Sequence, residues 1–194
     1  MSHRNDRILP VTELARVEGD DAMYTRASRS FAEDRGPVVV IGVGNEFRRD
    51  DGAGPAVVAS LRGRVPPWVA LAVADGEPAR LVEAWTGVAL AVVVDAVRVC
   101  GSAASRPGTV HRLVVDRPRG AAAPAGSSHG LGLDDAIALS LALGRMPGRL
   151  IVHAIEAADL AQGAGLTPPV AAAVDAVAAA VLADIGRGSG GAAP

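Results

Sequence analysis

The alternation of short apolar runs with helical segments is the feature that most constrains the fold of this chain. Five runs predict strands, at residues 37–43, 68–75, 88–97, 108–116 and 149–157. Four segments predict helices, at residues 54–63, 77–85, 131–144 and 168–185. Strands that alternate with helices favour a mainly parallel sheet with helices on both faces. We therefore predict an α/β fold, a three-layer α/β/α sandwich of about five strands in which 108–116 is an antiparallel edge strand.

Two segments indicate how the core is built. The third predicted strand, "VALAVVVDAV" at 88–97, is apolar along most of its length, which is typical of a strand covered on both faces. The last predicted helix carries aliphatic side chains at helical spacing, namely Val170, Val174, Val177, Val181 and Ile185. This stripe predicts a helix that packs on the sheet.

The length of 194 residues favours one substantial domain. We predict that residues 37–186 form this domain. Residues 1–36 mix charges of both signs and lack a continuous apolar run, so they predict a flexible extension rather than a signal peptide. Residues 187–194 predict a flexible tail, and 117–128 a polar loop.

The composition excludes several classes of function. All 19 basic residues are arginine, so Schiff-base catalysis and a lysine-containing phosphate loop are impossible. The single cysteine, Cys100, excludes an intrachain disulfide and favours a cytoplasmic location, where we expect it to be a packed thiol. A net charge of −2 without a basic patch argues against nucleic-acid binding. No uncharged run reaches the ~18–20 residues of a membrane span, so we expect no membrane partner.

Candidate functional residues follow the predicted strands. In a parallel sheet the carboxyl ends of the strands line the binding crevice. Asp50 and Asp51 follow the first strand, Asp95 ends the third, and His129 stands at the end of the polar loop. Two carboxylates and one imidazole suit a divalent ion such as nickel, zinc or manganese.

Each of these residues also has a structural interpretation. Asp50 or Asp51 can cap a helix or pair with Arg48 or Arg49. Asp95 is harder to explain in that way, because a carboxylate at the end of an apolar strand is costly unless it is paired or liganded. His129 alone is typical of a surface loop and gains its interest from the two carboxylates.

Other polar residues are expected to be structural, with one exception. Glu156 also ends a strand, where an ion pair and a functional role are both open. His153 lies within a strand and predicts a core or sheet-face histidine, whereas His111 on the edge strand is expected to be exposed. Asp134 and Asp135 begin a helix, where the helix dipole favours acidic residues.

A nucleotide site is a weak alternative. The stretch "GVGNEF" at 42–47 has the first two glycines of a dinucleotide fingerprint, but Phe47 stands at the third glycine position. The acidic residue expected about 20 positions further on is missing from "RGRVPPW".

Three stretches carry a resemblance to a known family. They are "IGVGNEFRRDDGAGPAVVASL" at 41–61, "AVVVDAV" followed by "PGTVHRL", and "SSHGLGLDDAIAL" at 127–139. With "GLTPPVAAAV" near the last helix, their order and spacing resemble those of the hydrogenase maturation proteases. These endopeptidases trim the C-terminus of the [NiFe]-hydrogenase large subunit, and the resemblance covers residues 37 to about 185.

The resemblance implies roles for particular residues. The family's metal-contacting and catalytic triad falls on Asp51, Asp95 and His129. The implied partner is a large-subunit precursor that already holds nickel, so the nickel belongs to the substrate and no organic cofactor is expected. Hydrolysis by a metal-polarised carbonyl, by metal-activated water or by an aspartate acting as general base all remain open. We expect a monomer.

One departure from the family pattern affects the expected crevice. The family tends to have Asp-Gly-Gly-Thr after the second strand, whereas this chain has "DGEPAR", with Glu77 and Pro78 in place of Gly and Thr. The departure leaves open a nickel-sensing chaperone that does not cut. Asp51 is the expected ligand of the first loop and Asp50 the expected cap or arginine partner.

Overall fold

The computed structural model describes residues 36–98, 105–115 and 132–188. Several predictions lie outside these ranges: nearly all of the N-terminal extension, the 117–128 loop, most of the tail, and the residues Cys100 and His129.

The described chain alternates strands and helices as the sequence predicted. The elements in chain order are β1 (Val38–Val43), a 3-10 helix (Arg49–Gly52), α1 (Ala53–Leu61), β2 (Val69–Ala74), α2 (Pro78–Trp85), β3 (Leu90–Val97), β4 (Val110–Val115), α3 (Leu133–Ala142), β5 (Arg149–Glu156) and α4 (Pro168–Gly188). The predicted strand and helix positions are confirmed within a few residues. The 3-10 helix was not predicted, and the last helix extends to Gly188 rather than ending at 185.

The strands form one sheet in the order β2-β1-β3-β5-β4. The β1–β2, β1–β3 and β3–β5 pairs are parallel, and β4 pairs with β5 in the antiparallel sense. The predicted fold class, including the antiparallel edge strand, is therefore confirmed. The carboxyl ends of β1 and β3 are direct neighbours, because Gly42 pairs with Val94.

The core consists of two apolar layers, one on each face of the sheet. One face of β1, β3 and β5 packs on α1 and α4. The opposite face packs on α2 and α3. All of β3 except Ala96 is buried, as its apolar sequence predicted. Burial of the aliphatic side chains in both layers supplies the main driving force for folding, at about 25 cal/mol per Å² of apolar surface.

Helix α4 is the longest helix in the described part of the chain. Over Pro168–Arg187 it is long and apolar enough to cross a membrane by length and composition, with a mean hydropathy of 1.7. A single such helix is weak evidence, because the core helix of a water-soluble fold passes the same test. Val170, Val177 and Val181 of α4 are buried in the core cluster, which is the role predicted from their spacing.

Candidate active site

The carboxyl ends of β1 and β3 place the two acidic candidates at one edge of the sheet. Asp95 lies near the end of β3 and is only 9% exposed. Asp51 lies in the 3-10 helix that follows β1. Residues of this 3-10 helix contact β3, and the charge of Asp51 acts on the Asp95 carboxyl, so the two carboxylates are electrostatic neighbours.

A close contact of α1 with the sheet brings the acidic loop to this edge. A Cβ atom on Gly54 would collide with the carbonyl oxygen of Val43 and lie 2.6 Å from that of Val94. Only glycine therefore lets the start of α1 rest on the ends of both β1 and β3. Because Val94 precedes Asp95 directly, this contact fixes the distance between the acidic loop and the end of β3.

The Asp51 side chain is oriented by the turn that precedes it. The backbone N–H of Asn45 donates to Asp51 Oδ2 at 3.1 Å. Arg48 Nη1 lies 3.6 Å from the same oxygen. The Asp51 side chain keeps 18% of its surface exposed. The predicted pairing with Arg48 therefore exists, and it leaves Asp51 partly open to a ligand.

The environment of Asp95 is unfavourable for a negative charge. Burial raises the pKa of the Asp95 carboxyl to about 7, a hydrogen bond from the Ala96 backbone opposes this rise, and the charge of Asp51 adds to it. A cation placed between the two carboxylates would reverse both unfavourable effects, because it neutralises the charge that burial penalises. The pair therefore has the electrostatic character of a site that gains stability from a metal ion.

The two carboxylates need a further ligand to hold a metal firmly. Within residues 36–98, 105–115 and 132–188, no group of three or more His, Cys, Asp or Glu side chains is positioned to hold an ion. The third predicted ligand, His129, lies outside those ranges, so the complete triad stays a prediction.

The start of α3 contacts the turn that follows β2. A Cβ atom on Gly132 would collide with the carbonyl oxygen of Gly76, so these two backbones are in direct contact. Gly76 belongs to the turn that follows β2, at the same edge of the sheet as Asp51 and Asp95.

The departure at Glu77 and Pro78 has a local structural explanation. The Glu77 carboxylate caps α2 by accepting hydrogen bonds from the backbone N–H groups of Ala79 at 3.1 Å and Arg80 at 2.9 Å. Pro78 occupies the first turn, where a missing N–H has no cost. Asp75 pairs with Arg80 at 3.3 Å, and both side chains are more than half exposed. The sequence change thus provides an N-terminal cap for α2.

Asp50 has a role that differs from both predicted interpretations. It neither caps the 3-10 helix nor pairs with Arg48 or Arg49, and it is fully buried. Its carboxylate instead accepts hydrogen bonds from the backbone of Ala158 and Asp159, each at 2.9 Å. It also accepts from the backbone N–H of Thr167 at 2.6 Å and from its hydroxyl at 2.9 Å.

These bonds explain why a buried carboxylate is stable at Asp50. Burial would raise the pKa of Asp50, but the hydrogen bonds from Thr167, Asp159 and Ala158 outweigh burial and lower it. Asp50 therefore ties the acidic loop to the segment that joins β5 to α4. The expectation of a cap or an arginine partner was wrong, because the true partners lie more than 100 positions along the chain.

Glu156 and His111 form a second polar group at the carboxyl end of β5. Glu156 is 5% exposed and lies 2.7 Å from His111 Nε2. It also accepts from the Ser105 hydroxyl and the Arg106 backbone. The hydrogen bonds from His111 and Ser105 lower the pKa of Glu156. The contact with His111 supports the ion-pair interpretation of Glu156, although the Glu156 carboxylate is buried and does not lie on the surface. His111 is exposed, as predicted.

His153 is a core histidine, as predicted, and is part of a buried ionic cluster. Its Nε2 atom lies 2.8 Å from Asp184 Oδ2, and Arg112 and Arg187 bind the same carboxylate. Burial lowers the pKa of His153 despite the neighbouring carboxylate. The neutral ring therefore donates from Nε2, which leaves the buried Nδ1 without a hydrogen-bond partner. This cluster connects β4, β5 and α4 and lies outside the crevice.

Comparison with known proteins identifies a family and a set of related structures. A family model described as HycI, hydrogenase maturation protease, matches residues 56–184. The hydrogenase maturating endopeptidase HybD from E. coli shares 25% identity and a TM-score of 0.65, and the match covers 79% of this chain and 94% of that one. No protein in the curated set matches significantly by sequence.

Two archaeal structures agree with the same fold. The [NiFe] hydrogenase maturation protease HybD from Thermococcus kodakarensis shares 23% identity with a TM-score of 0.55, over 75% of this chain and 96% of that one. The protease HycI from Thermococcus kodakarensis shares 18% identity with a TM-score of 0.53, over 81% of this chain and 97% of that one. At these identities the likeness shows the fold alone.

Proposed function

The chain belongs to the hydrogenase maturation proteases, and from this premise we propose that it removes a C-terminal peptide from a nickel-loaded [NiFe]-hydrogenase large-subunit precursor. Membership of the family makes the chain a peptidase that acts in hydrogenase maturation. The proposal adds the nickel dependence and the residues that sense it, Asp51, Asp95 and His129.

One observation carries the proposal, namely the approach of Asp51 and Asp95 at the ends of neighbouring strands. Asp95 is buried beside a second carboxylate, and Gly54 holds the two strand ends and the acidic loop together. A fold gains no stability from two carboxylates placed in this way, because burial and mutual repulsion both oppose their charge. Such an arrangement favours a role in binding a cation.

We propose that the cation is the nickel of the substrate. A precursor that holds nickel can share the ion with Asp51 and Asp95, whereas a precursor without nickel cannot. The shared ion then supplies binding free energy that distinguishes the two precursors. The protease would in this way cut only after metal insertion, and would do so in the cytoplasm as a monomer.

The residues of the site suggest two ways to hydrolyse the peptide bond. Asp95 can act as a general base on a water molecule at the crevice, because a buried carboxylate has a raised proton affinity. Alternatively, the substrate's metal can polarise the carbonyl oxygen while Asp51 and Asp95 orient the ion. Two other polar side chains at the carboxyl edge of the sheet already make hydrogen bonds within the protein. Thr167 donates to Asp50, and Glu156 accepts from Ser105.

The test is mass spectrometry of a precursor incubated with the protein. We expect loss of a C-terminal peptide from the nickel-loaded precursor and none from the apo precursor. Asp95→Asn should abolish the cut, while Asp175→Asn on the exposed side of α4 should retain it. Asp95→Asn should also be at least as thermally stable as the wild type, because it removes a buried charge.

Three results would contradict the proposal. Equal cutting of apo and loaded precursor would remove the metal dependence. Wild-type cutting by Asp95→Asn would remove the assigned site. Binding of the loaded precursor without any cutting would instead identify a non-proteolytic chaperone.

A further inference from the structure

Phe47 stands out on the turn that leads into the acidic loop. Its side chain is 69% exposed, which is the largest exposure of any bulky apolar residue in the described part of the chain. Trp85, by comparison, is fully buried. A single exposed apolar side chain is common on protein surfaces and needs no explanation by itself. The exposure of Phe47 does need an explanation, because hydrogen bonds hold its backbone in place and it lies directly before the acidic loop.

The backbone at Phe47 is fixed on both sides. Its N–H donates to the Asn45 side chain at 2.9 Å, and its carbonyl accepts from the Gly163 N–H at 2.9 Å. The Arg49 N–H donates to the Gly163 carbonyl at 2.8 Å, which makes a short parallel bridge between the two loops. Asp50 also connects these two loops, because its carboxylate accepts a hydrogen bond from the Thr167 backbone N–H. The aromatic ring is thus presented to solvent on a rigid support.

Two charged neighbours of Phe47 already have partners. Arg48 lies 3.6 Å from Asp51 and donates to the Leu160 carbonyl at 3.4 Å. Arg49 lies 3.2 Å from Asp159. Glu46 is also exposed, so this turn offers a partner an apolar ring with one carboxylate beside it. A rigid exposed aromatic group has little conformational entropy to lose on binding, and such groups are frequent binding hot spots.

We infer that Phe47 anchors the precursor by contacting one of its apolar side chains close to the metal-bound group. Asp51 is four positions after Phe47, so their Cα atoms are at most about 14 Å apart. An extended substrate covers this distance in about four residues, at ~3.3 Å each. The contacted side chain therefore lies within about four residues of the group held at Asp51 and Asp95. This inference rests on the proposed function.

The test compares Phe47→Ala with the conservative Phe47→Leu and with Leu143→Ala. Leu143 is a matched control, because it is 53% exposed and follows α3. With nickel-loaded precursor, Phe47→Ala should raise KM about tenfold with kcat within twofold, which is a binding loss of about 1.4 kcal/mol. Phe47→Leu should recover most of the affinity, Leu143→Ala should match the wild type, and none should shift Tm by more than ~2 °C.

A second readout separates this inference from the proposed function. Binding of the apo precursor, which the protein is not expected to cut, is measured on the wild type, Phe47→Ala and Leu143→Ala. A Kd about tenfold weaker for Phe47→Ala alone supports the anchor even if the loaded precursor is not cut. Equal Kd values, or equal losses for Phe47→Ala and Leu143→Ala, would overturn it. Cutting of the loaded precursor with no difference in Kd between the wild type and Phe47→Ala would overturn the anchor and leave the proposed function standing.

Discussion

Replacement of Asp184 by Asn should destabilise the fold without touching the crevice. Asp184 lies on α4 and is 1% exposed. Its carboxylate accepts from Arg112 Nη2 at 2.7 Å, Arg187 Nη2 at 2.8 Å and His153 Nε2 at 2.8 Å. Because these partners lie on β4, β5 and α4, the carboxylate connects the antiparallel edge of the sheet to its covering helix.

The structure allows the size of the effect to be worked out. Burial would raise the pKa of Asp184, but the hydrogen bonds from Arg112, Arg187 and His153 lower it from 3.8 to about 2. At 1.36 kcal/mol per pH unit, this difference corresponds to about 2 kcal/mol of stability at neutral pH. The side chains of Arg112 and Arg187 are 37% and 64% exposed, so screening by solvent argues against a larger figure. For a domain of this size, 2 kcal/mol lowers Tm by about 4–8 °C.

The pH dependence gives an independent check. The pKa of Asp184 is lower in the fold than in the unfolded chain, so the fold is stabilised at pH values above about 4. This stabilisation is lost as the pH falls from about 4 to about 2. The stability difference between the wild type and Asp184→Asn should therefore shrink over the same interval.

The assay is urea unfolding followed by circular dichroism at pH 7 and at intervals down to about pH 2, the folded-state pKa of Asp184. Asp175→Asn is the matched control, because Asp175 lies on the same helix and is exposed. The control should change the free energy of unfolding by less than ~0.5 kcal/mol. If Asp184→Asn were as stable as Asp175→Asn at pH 7, or if its deficit were independent of pH, the reasoning would be refuted.

Three further substitutions, one of them with a matched control, test the packing of the domain. Asp50→Asn should lower the free energy of unfolding by about 1–3 kcal/mol, because buried N–H donors lose a charged acceptor. An unchanged urea midpoint would show that these hydrogen bonds do not stabilise the fold. Gly54→Ala should lower the free energy of unfolding by more than ~2 kcal/mol, because the new Cβ atom collides with two strand carbonyl oxygens. Gly186→Ala is the control, because Gly186 lies in open space on α4, and it should raise the free energy of unfolding by up to ~1 kcal/mol. Thermal unfolding of the two variants should therefore show Tm changes of opposite sign. Ser140→Ala should lower the free energy of unfolding by about 1–3 kcal/mol, because the buried Trp85 Nε1–H loses its hydrogen-bond acceptor at 3.0 Å. A Tm equal to that of the wild type would contradict this prediction.

Much of the fold was predictable because its signals are local in the sequence. Apolar runs fixed the strands, and the stripe that includes Val177 and Val181 identified the helix that covers the sheet. The position of Asp95 at the end of a buried strand was also a local signal, and the rule for parallel sheets placed it beside the loop of Asp51. The cap that Glu77 forms on α2 also depends on the next three residues alone, but its sequence was interpreted only as a departure from the family pattern.

The features that escaped prediction depend on contacts between distant parts of the chain. Asp50 and Asp51 are adjacent and chemically identical, yet one binds backbone groups more than 100 positions away and the other stays partly exposed and acts on Asp95. No local pattern separates them. The Asp184 cluster is similar, because Arg112 lies 72 positions before its partner. The exposure of Phe47 could not be predicted either, since an apolar residue after a strand is more often packed in the core.

We propose that one metal ion contacts Asp51, Asp95 and His129, and anomalous X-ray scattering from crystals soaked with Ni²⁺ would reveal such an ion. We expect a single strong peak about 2–2.5 Å from an oxygen of Asp51, an oxygen of Asp95 and a ring nitrogen of His129. The same soak of Asp95→Asn should show a weak peak or none. A peak elsewhere, or a His129 ring more than about 8 Å from both carboxylates in the soaked crystals, would contradict the claim.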